Sequence, residues 1–120
     1  MKRFVSKVKG GLLEVLAKTI IKLKGAAKDV WRSLEGEYIL GNNLVNGKAH
    51  WIQEGGSNAL WHYKKYRFWI IGNINYLGGL KASIYSPDDS LCPLEATAWK
   101  YLDNGKWIES TDIATLRGIR

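Results

Sequence analysis

The hydrophobic period changes near residue 36, and that change limits the folds open to this chain more than any other feature. Upstream, apolar residues recur at Val5, Val8, Leu12, Val15, Leu16, Ile20, Leu23, Ala27, Val30 and Leu34, in steps that are almost all three or four. That is helical spacing. Downstream, short runs rich in Tyr, Trp, Ile and Val are separated by glycine turns, the pattern of antiparallel strands. The expected architecture is α+β: a long N-terminal amphipathic helix, then an antiparallel β-meander closing as a small barrel or sandwich. The division is a basic helix in residues 1–35 and a Trp- and Tyr-rich β domain in residues 36–120.

An unbroken helix from Lys2 to Leu34 would be about 50 Å long at ~1.5 Å per residue. Gly10 and Gly11 weaken its start, since each costs about 1 kcal/mol relative to Ala in a helix interior. Gly36 supplies a stop. Phe4 and Trp31 sit at the edges of the apolar stripe, and Lys7, Lys18, Lys28 and Arg32 lie opposite it. Ile21 is the exception, because a helix turns it to the polar side.

Charge follows the same boundary. The chain carries a net +7. Residues 1–33 hold nine basic side chains against Glu14 and Asp29, whereas the basic and acidic residues of 34–120 cancel. A basic, one-sided segment is built to meet an anionic surface. Large amphipathicity, a lysine-rich polar face and modest hydrophobicity mark an interfacial helix. Lysines interrupt every apolar run, so the segment reads neither as a secretory signal nor as a membrane span. Its Lys content also departs from an Arg- and Ser-rich presequence. A cytoplasmic chain, or one released without a signal peptide and peripheral to a membrane, is the expected location.

Lys alternating with Val, Leu and Ile from Met1 onward resembles cationic membrane-active peptides and leaderless bacteriocins. The resemblance implies a membrane-binding face of Lys2, Arg3, Phe4, Lys7, Lys9, Leu12, Leu16, Lys18, Ile20, Lys22, Leu23, Lys24, Lys28, Trp31 and Arg32. Val45-Asn46-Gly47, Trp69-Ile70-Ile71-Gly72, Cys92-Pro93 and the final Trp-Tyr-Trp hairpin resemble an aromatic-rich small β module of multidomain eukaryotic proteins. That likeness carries no activity.

In the β region the sequence predicts strands near 37–41, 48–54, 59–64, 67–73, 80–85, 97–102, 106–109 and 112–116. Asn46-Gly47 and Asn104-Gly105 suit two-residue turns in which both central residues take positive φ. The second turn places Asp103 opposite Lys106, Leu102 opposite Trp107, Tyr101 opposite Ile108 and Lys100 opposite Glu109. Both charge pairs are then of opposite sign. Trp99, Tyr101 and Ile108 share the core face, and Trp107 lies on the other. Trp51, Trp61, Trp69 and Trp99 are expected in the core, since each buries a large area. Phe68-Trp69-Ile70-Ile71 lacks alternation and reads as a central strand covered on both faces, with the helix as one candidate cover. The longest irregular loop is 86–96.

The chemistry-bearing residues are few. His50 and His62 lie on different strands with no ligand spacing. Asp88-Asp89 reads as a solvated loop pair, and no two carboxylates are matched for glycoside chemistry. The lone cysteine, Cys92, excludes an internal disulfide. No nucleophile elbow or phosphate loop occurs, so a non-enzymatic binding protein with no cofactor is expected. Tyr63-Lys64-Lys65-Tyr66-Arg67 interleaves aromatic and basic side chains that can stack on bases or sugars. Lys64, Lys65, Tyr66, Arg67 and Trp107 are the candidate ligand-binding residues. The leading expectation is action at an anionic lipid membrane through the helix. The alternatives are a carbohydrate- or peptide-binding β module, or nucleic-acid binding by the basic face.

Overall fold

A computed structural model describes residues 20–25 and 32–118. The described chain is nearly all antiparallel β. Its strands are β1 (Ile20–Lys24), β2 (Gly36–Leu40), β3 (Trp51–Gln53), β4 (Asn58–Tyr63), β5 (Phe68–Asn73), β6 (Ile84–Ser86), β7 (Lys100–Asp103), β8 (Lys106–Glu109) and β9 (Ala114–Arg117), with short 3-10 turns at Arg32–Leu34, Ile74–Tyr76 and Pro93–Glu95.

The sheet order is β8-β7-β6-β5-β4-β3-β2-β1-β9. Strands β1 to β8 form a meander, and β9 returns to pair with β1. β8 and β9 therefore hold opposite edges, although only residues 110–113 join them. A flat nine-stranded sheet would hold its edges roughly 38 Å apart at ~4.8 Å per strand. That link spans at most about 18 Å fully extended. The sheet must curl until its edges approach, which makes a half-barrel.

The long helix expected over residues 2–34 is overturned. Ile20–Lys24 is a strand, registered against β2 through Ile21↔Tyr38 and Leu23↔Gly36 and against β9 through Leu23↔Thr115. Ile21 and Leu23 are buried while Lys22 and Lys24 are exposed. That is a period of two, and adjacent β-branched residues favour it. Ile21, the misfit of the helical stripe, is 0% exposed because it faces the core of a sheet. Arg32–Leu34 makes a single 3-10 turn, and Leu34 is buried. The rest of the expected helix, including Lys2, Arg3, Phe4, Lys7, Lys9, Leu12, Leu16, Lys18, Lys28 and Trp31, lies outside the described residues.

The eight strands expected downstream are present, with ends shifted by a few residues. Both Asn-Gly turns form, with φ of 55° and 81° at Asn46 and Gly47 and of 50° and 78° at Asn104 and Gly105. All four expected pairs of the second hairpin occur. One expectation on it fails: Ile108 is 38% exposed, because β8 is an edge strand that only β7 flanks.

The main core gathers Ile21, Leu23, Tyr38, Trp51, Leu60, Trp69, Ile71, Ile84 and Trp99. These come from β1 through β6 and the approach to β7. Side chains from so many strands meet only on the concave face of a curled sheet. Trp61 is buried instead on the convex face, with Ala59 and Ile70, under Val45, Ile74, Leu77 and Ala82. β5 is thus covered on both faces as expected, and the convex cover comes from the 41–50 and 74–83 connections. Asn46 ties the first of these down, donating from Nδ2 to the carbonyls of His62 (2.9 Å) and Gly78 (3.0 Å). Trp61 Nε1 donates to the carbonyl of Gly79 at 2.9 Å.

Candidate functional site: an aromatic strip

β4 and β5 are joined by a four-residue tip, Lys64 to Arg67. Arg67 takes φ of 58°, the left-handed region that side chains other than glycine seldom enter. The turn brings Tyr66 back between the two strand ends. Its ring centroid lies 5.6 Å from Tyr63 and 5.6 Å from Phe68, which face each other in the register. Phe68 stacks on Tyr85 of β6 at 4.6 Å, and Tyr85 meets Trp107 of β8 edge-on at 4.9 Å. Five rings from four strands and the tip make one continuous strip across the convex face. Tilted and edge-on contacts of this kind are the favoured geometry between aromatic quadrupoles.

The two ends are the most open. Tyr66 is 48% exposed and Trp107 is 41% exposed, with Leu102 beside it also exposed. Tyr63, Phe68 and Tyr85 are half-buried. Lys64, Lys65 and Arg67 crown the Tyr66 end, with Lys65 Nζ 5.8 Å from the Tyr66 centroid. The five candidate ligand-binding residues thus fall along one surface feature. Phe68 and Tyr85, which join Tyr66 to Trp107, were missed. Both sit in strands whose neighbours become known only from the register across β5, β6 and β7.

Beneath the tip, on the concave face, lies a second cluster. His62 is buried, with 2% of its surface exposed, and its Nε2 is 2.9 Å from Asp89 Oδ1. The imidazole therefore carries its proton on Nε2 to reach the carboxylate, which leaves Nδ1 buried and unpartnered. The ring packs edge-on to Trp69 at 5.0 Å, and Lys48 Nζ lies 5.7 Å from the Trp69 ring. Burial holds the His62 pKa below its ordinary value, Lys48 adds to the lowering, and the Asp89 hydrogen bond opposes it. Trp69 Nε1 also donates to the carbonyl of Ser90 at 3.0 Å. The pair thus pins the 86–96 loop to the sheet; Asp89 is solvent-exposed, as expected, and is also a tether.

Other polar features are structural. Gln53 Nε2 donates to the carbonyls of Ser33 (2.7 Å) and Glu35 (3.0 Å), and its Oε1 accepts from the Asn58 amide groups. This network lies in the wall of a groove that Gln53 lines with Arg32, Glu54 and Asn73. Among the described residues no three His, Cys, Asp or Glu side chains converge as a metal site, and no helix is long and apolar enough to cross a membrane. Of the expected membrane face, Ile20, Lys22, Leu23 and Lys24 lie in β1 and Arg32 in the turn before β2. Leu23 is sealed in the core. Compared with family models, with curated proteins and with solved structures, the chain matches none.

Proposed function

We propose that this chain is a ligand-binding β module that holds a carbohydrate chain on its convex aromatic strip. The observation that carries the reading is the unbroken run from Tyr66 through Phe68 and Tyr85 to Trp107, open at both ends. The C–H faces of a sugar carry slight positive charge and settle on the negative face of an aromatic ring. Such contacts need one open ring face at intervals, as Tyr66 and Trp107 provide.

The bordering groups support a sugar over a strand of bases. The rings are inclined to one another by 30° to 79°, so they offer no parallel stack into which successive bases fit. Glu109 stands in β8 two residues from Trp107. Carboxylates accept hydrogen bonds from sugar hydroxyls but repel a continuous phosphate backbone. Ile20–Lys24 form a strand whose Leu23 is sealed in the core, so these five residues do not present the helical face that binding to a lipid surface called for.

Intrinsic tryptophan fluorescence, titrated with a panel of neutral and acidic oligosaccharides, tests the proposal, since Trp107 lies in the strip. Tyr66→Ala and Trp107→Ala should each weaken binding by about tenfold, the scale of roughly 1.4 kcal/mol for an aromatic contact. Unchanged affinity in both variants would refute the strip as the binding face.

A further inference from the structure

The strip is polarised in charge along its length. At the Tyr66 end, Lys64, Lys65 and Arg67 are all exposed. Asp89, the carboxylate that pairs with Arg67 among the described residues, is committed to His62 at 2.9 Å and lies 3.9 Å from Arg67 Nε. The Arg67 side chain keeps 75% of its surface open to solvent. The Trp107 end is balanced: Lys100 stands opposite Glu109, and Lys106 opposite Asp103. Cationic charge is thus gathered where one exposed ring begins the strip and cancelled where the other ends it.

Resting on the strip as the platform for a sugar chain, we infer that its ligand is an acidic glycan bound in one direction. A carboxylate- or sulfate-bearing unit sits over Tyr66, within reach of Lys64, Lys65 and Arg67, and a neutral unit lies on Trp107. Lys65 already lies against the Tyr66 ring, so a sugar on the open side of that ring brings its acidic group near an ammonium. Arg67, held by its left-handed backbone at the strand end, offers a planar fork suited to a carboxylate or sulfate. Such exposed charge pairs select among ligands more than they anchor them, and salt screens them.

The probe pair is tetragalacturonate and its fully methyl-esterified form, which share one backbone and differ in charge. With the full-length chain at low salt, the acid should bind about tenfold tighter than the ester, and the gap should close near 0.5 M salt. Combined Lys64→Gln, Lys65→Gln and Arg67→Gln should erase the preference, so that this variant binds acid and ester with equal affinity. All three residues are exposed on a turn, so folding is preserved, and circular dichroism verifies this. If acid and ester bind equally while Trp107→Ala weakens both, the charge inference fails and the strip reading survives. If neither binds and the fluorescence is unmoved, the strip reading itself fails. If a deoxythymidylate oligomer binds more tightly than the acid, in a manner that the triple variant abolishes, the ligand is nucleic acid and the glycan inference is overturned.

Discussion

Imidazole and carboxylate meet under the tip at 2.9 Å, where burial lowers the ring's pKa and the carboxylate opposes the lowering. Burial favours the neutral form of His62, so the folded chain resists a proton that the unfolded chain accepts near the ordinary histidine value of about 6.5. Within the window between the two pKa values, the unfolded state binds more protons. Stability is therefore full above the ordinary value and is lost as pH falls through the lowered one. Urea midpoints followed by tryptophan fluorescence should decline from pH 7.5 to pH 5, and His62→Gln should remove that step of the decline. A profile equally steep in the variant would show that other groups carry it. The pairing itself could not be read from sequence. His62 and Asp89 are 27 positions apart, and no local pattern joins them. Gly41 is similar: a Cβ there would lie 2.3 Å from His50 Nε2. Gly41→Ala should then cost about 1–3 kcal/mol, as overpacking of a filled site does.

At the scale of elements, the turns were legible and the first strand was not. Asn-Gly dictates a two-residue turn through its own backbone preference, so the register of β7 and β8 followed from two residues and two charge pairs. β1 had no such local signal. Ile20, Leu23, Ala27, Val30 and Leu34 fit a helix, while Ile21 and Leu23 flanked by Lys22 and Lys24 fit a strand. The shorter pattern prevails because β2 and β9 offer ladders on both sides and the concave core takes Ile21 and Leu23. Tertiary context of this kind overrides a weak helical prior. The two arrangements invert the roles of neighbouring isoleucines: a helix puts Ile20 on the apolar face and Ile21 on the polar one. Ile21→Lys should therefore unfold the domain or cost several kcal/mol, since it buries an unpaired charge. Ile20→Lys, at a half-buried position, should cost far less. Thermal melts of the two variants decide the matter, and equal loss in both would contradict the strand.

At the scale of the whole molecule, closure and binding reside in different parts of the sheet. Closure depends on β9 reaching β1, on Thr115 Oγ1 donating to the Pro93 carbonyl at 2.7 Å, and on the 110–113 link crossing Gly25. That crossing is close: a Cβ on Gly25 would lie 1.9 Å from the Asp112 carbonyl oxygen, and Gly25 itself takes φ of 85°. No part of this was readable along the chain, because β1 and β9 are about ninety residues apart and the contact exists only once the sheet has curled. Gly25→Ala must therefore push the link away and strain the backbone together, at a cost of about 2–4 kcal/mol. Against a typical total of about 5–15 kcal/mol, this should lower the melting temperature by at least about 8 °C for a domain of this size. The aromatic strip is borne by β4, β5, β6 and β8 on the convex face, where β1 and β9 supply no ring. Measured well below the melting point, Gly25→Ala should then bind the acidic oligosaccharide with the affinity of the unaltered chain. A loss of affinity parallel to the loss of stability would mean that curvature set by closure also sets the ring spacing, and that the two faces of the sheet act as one device.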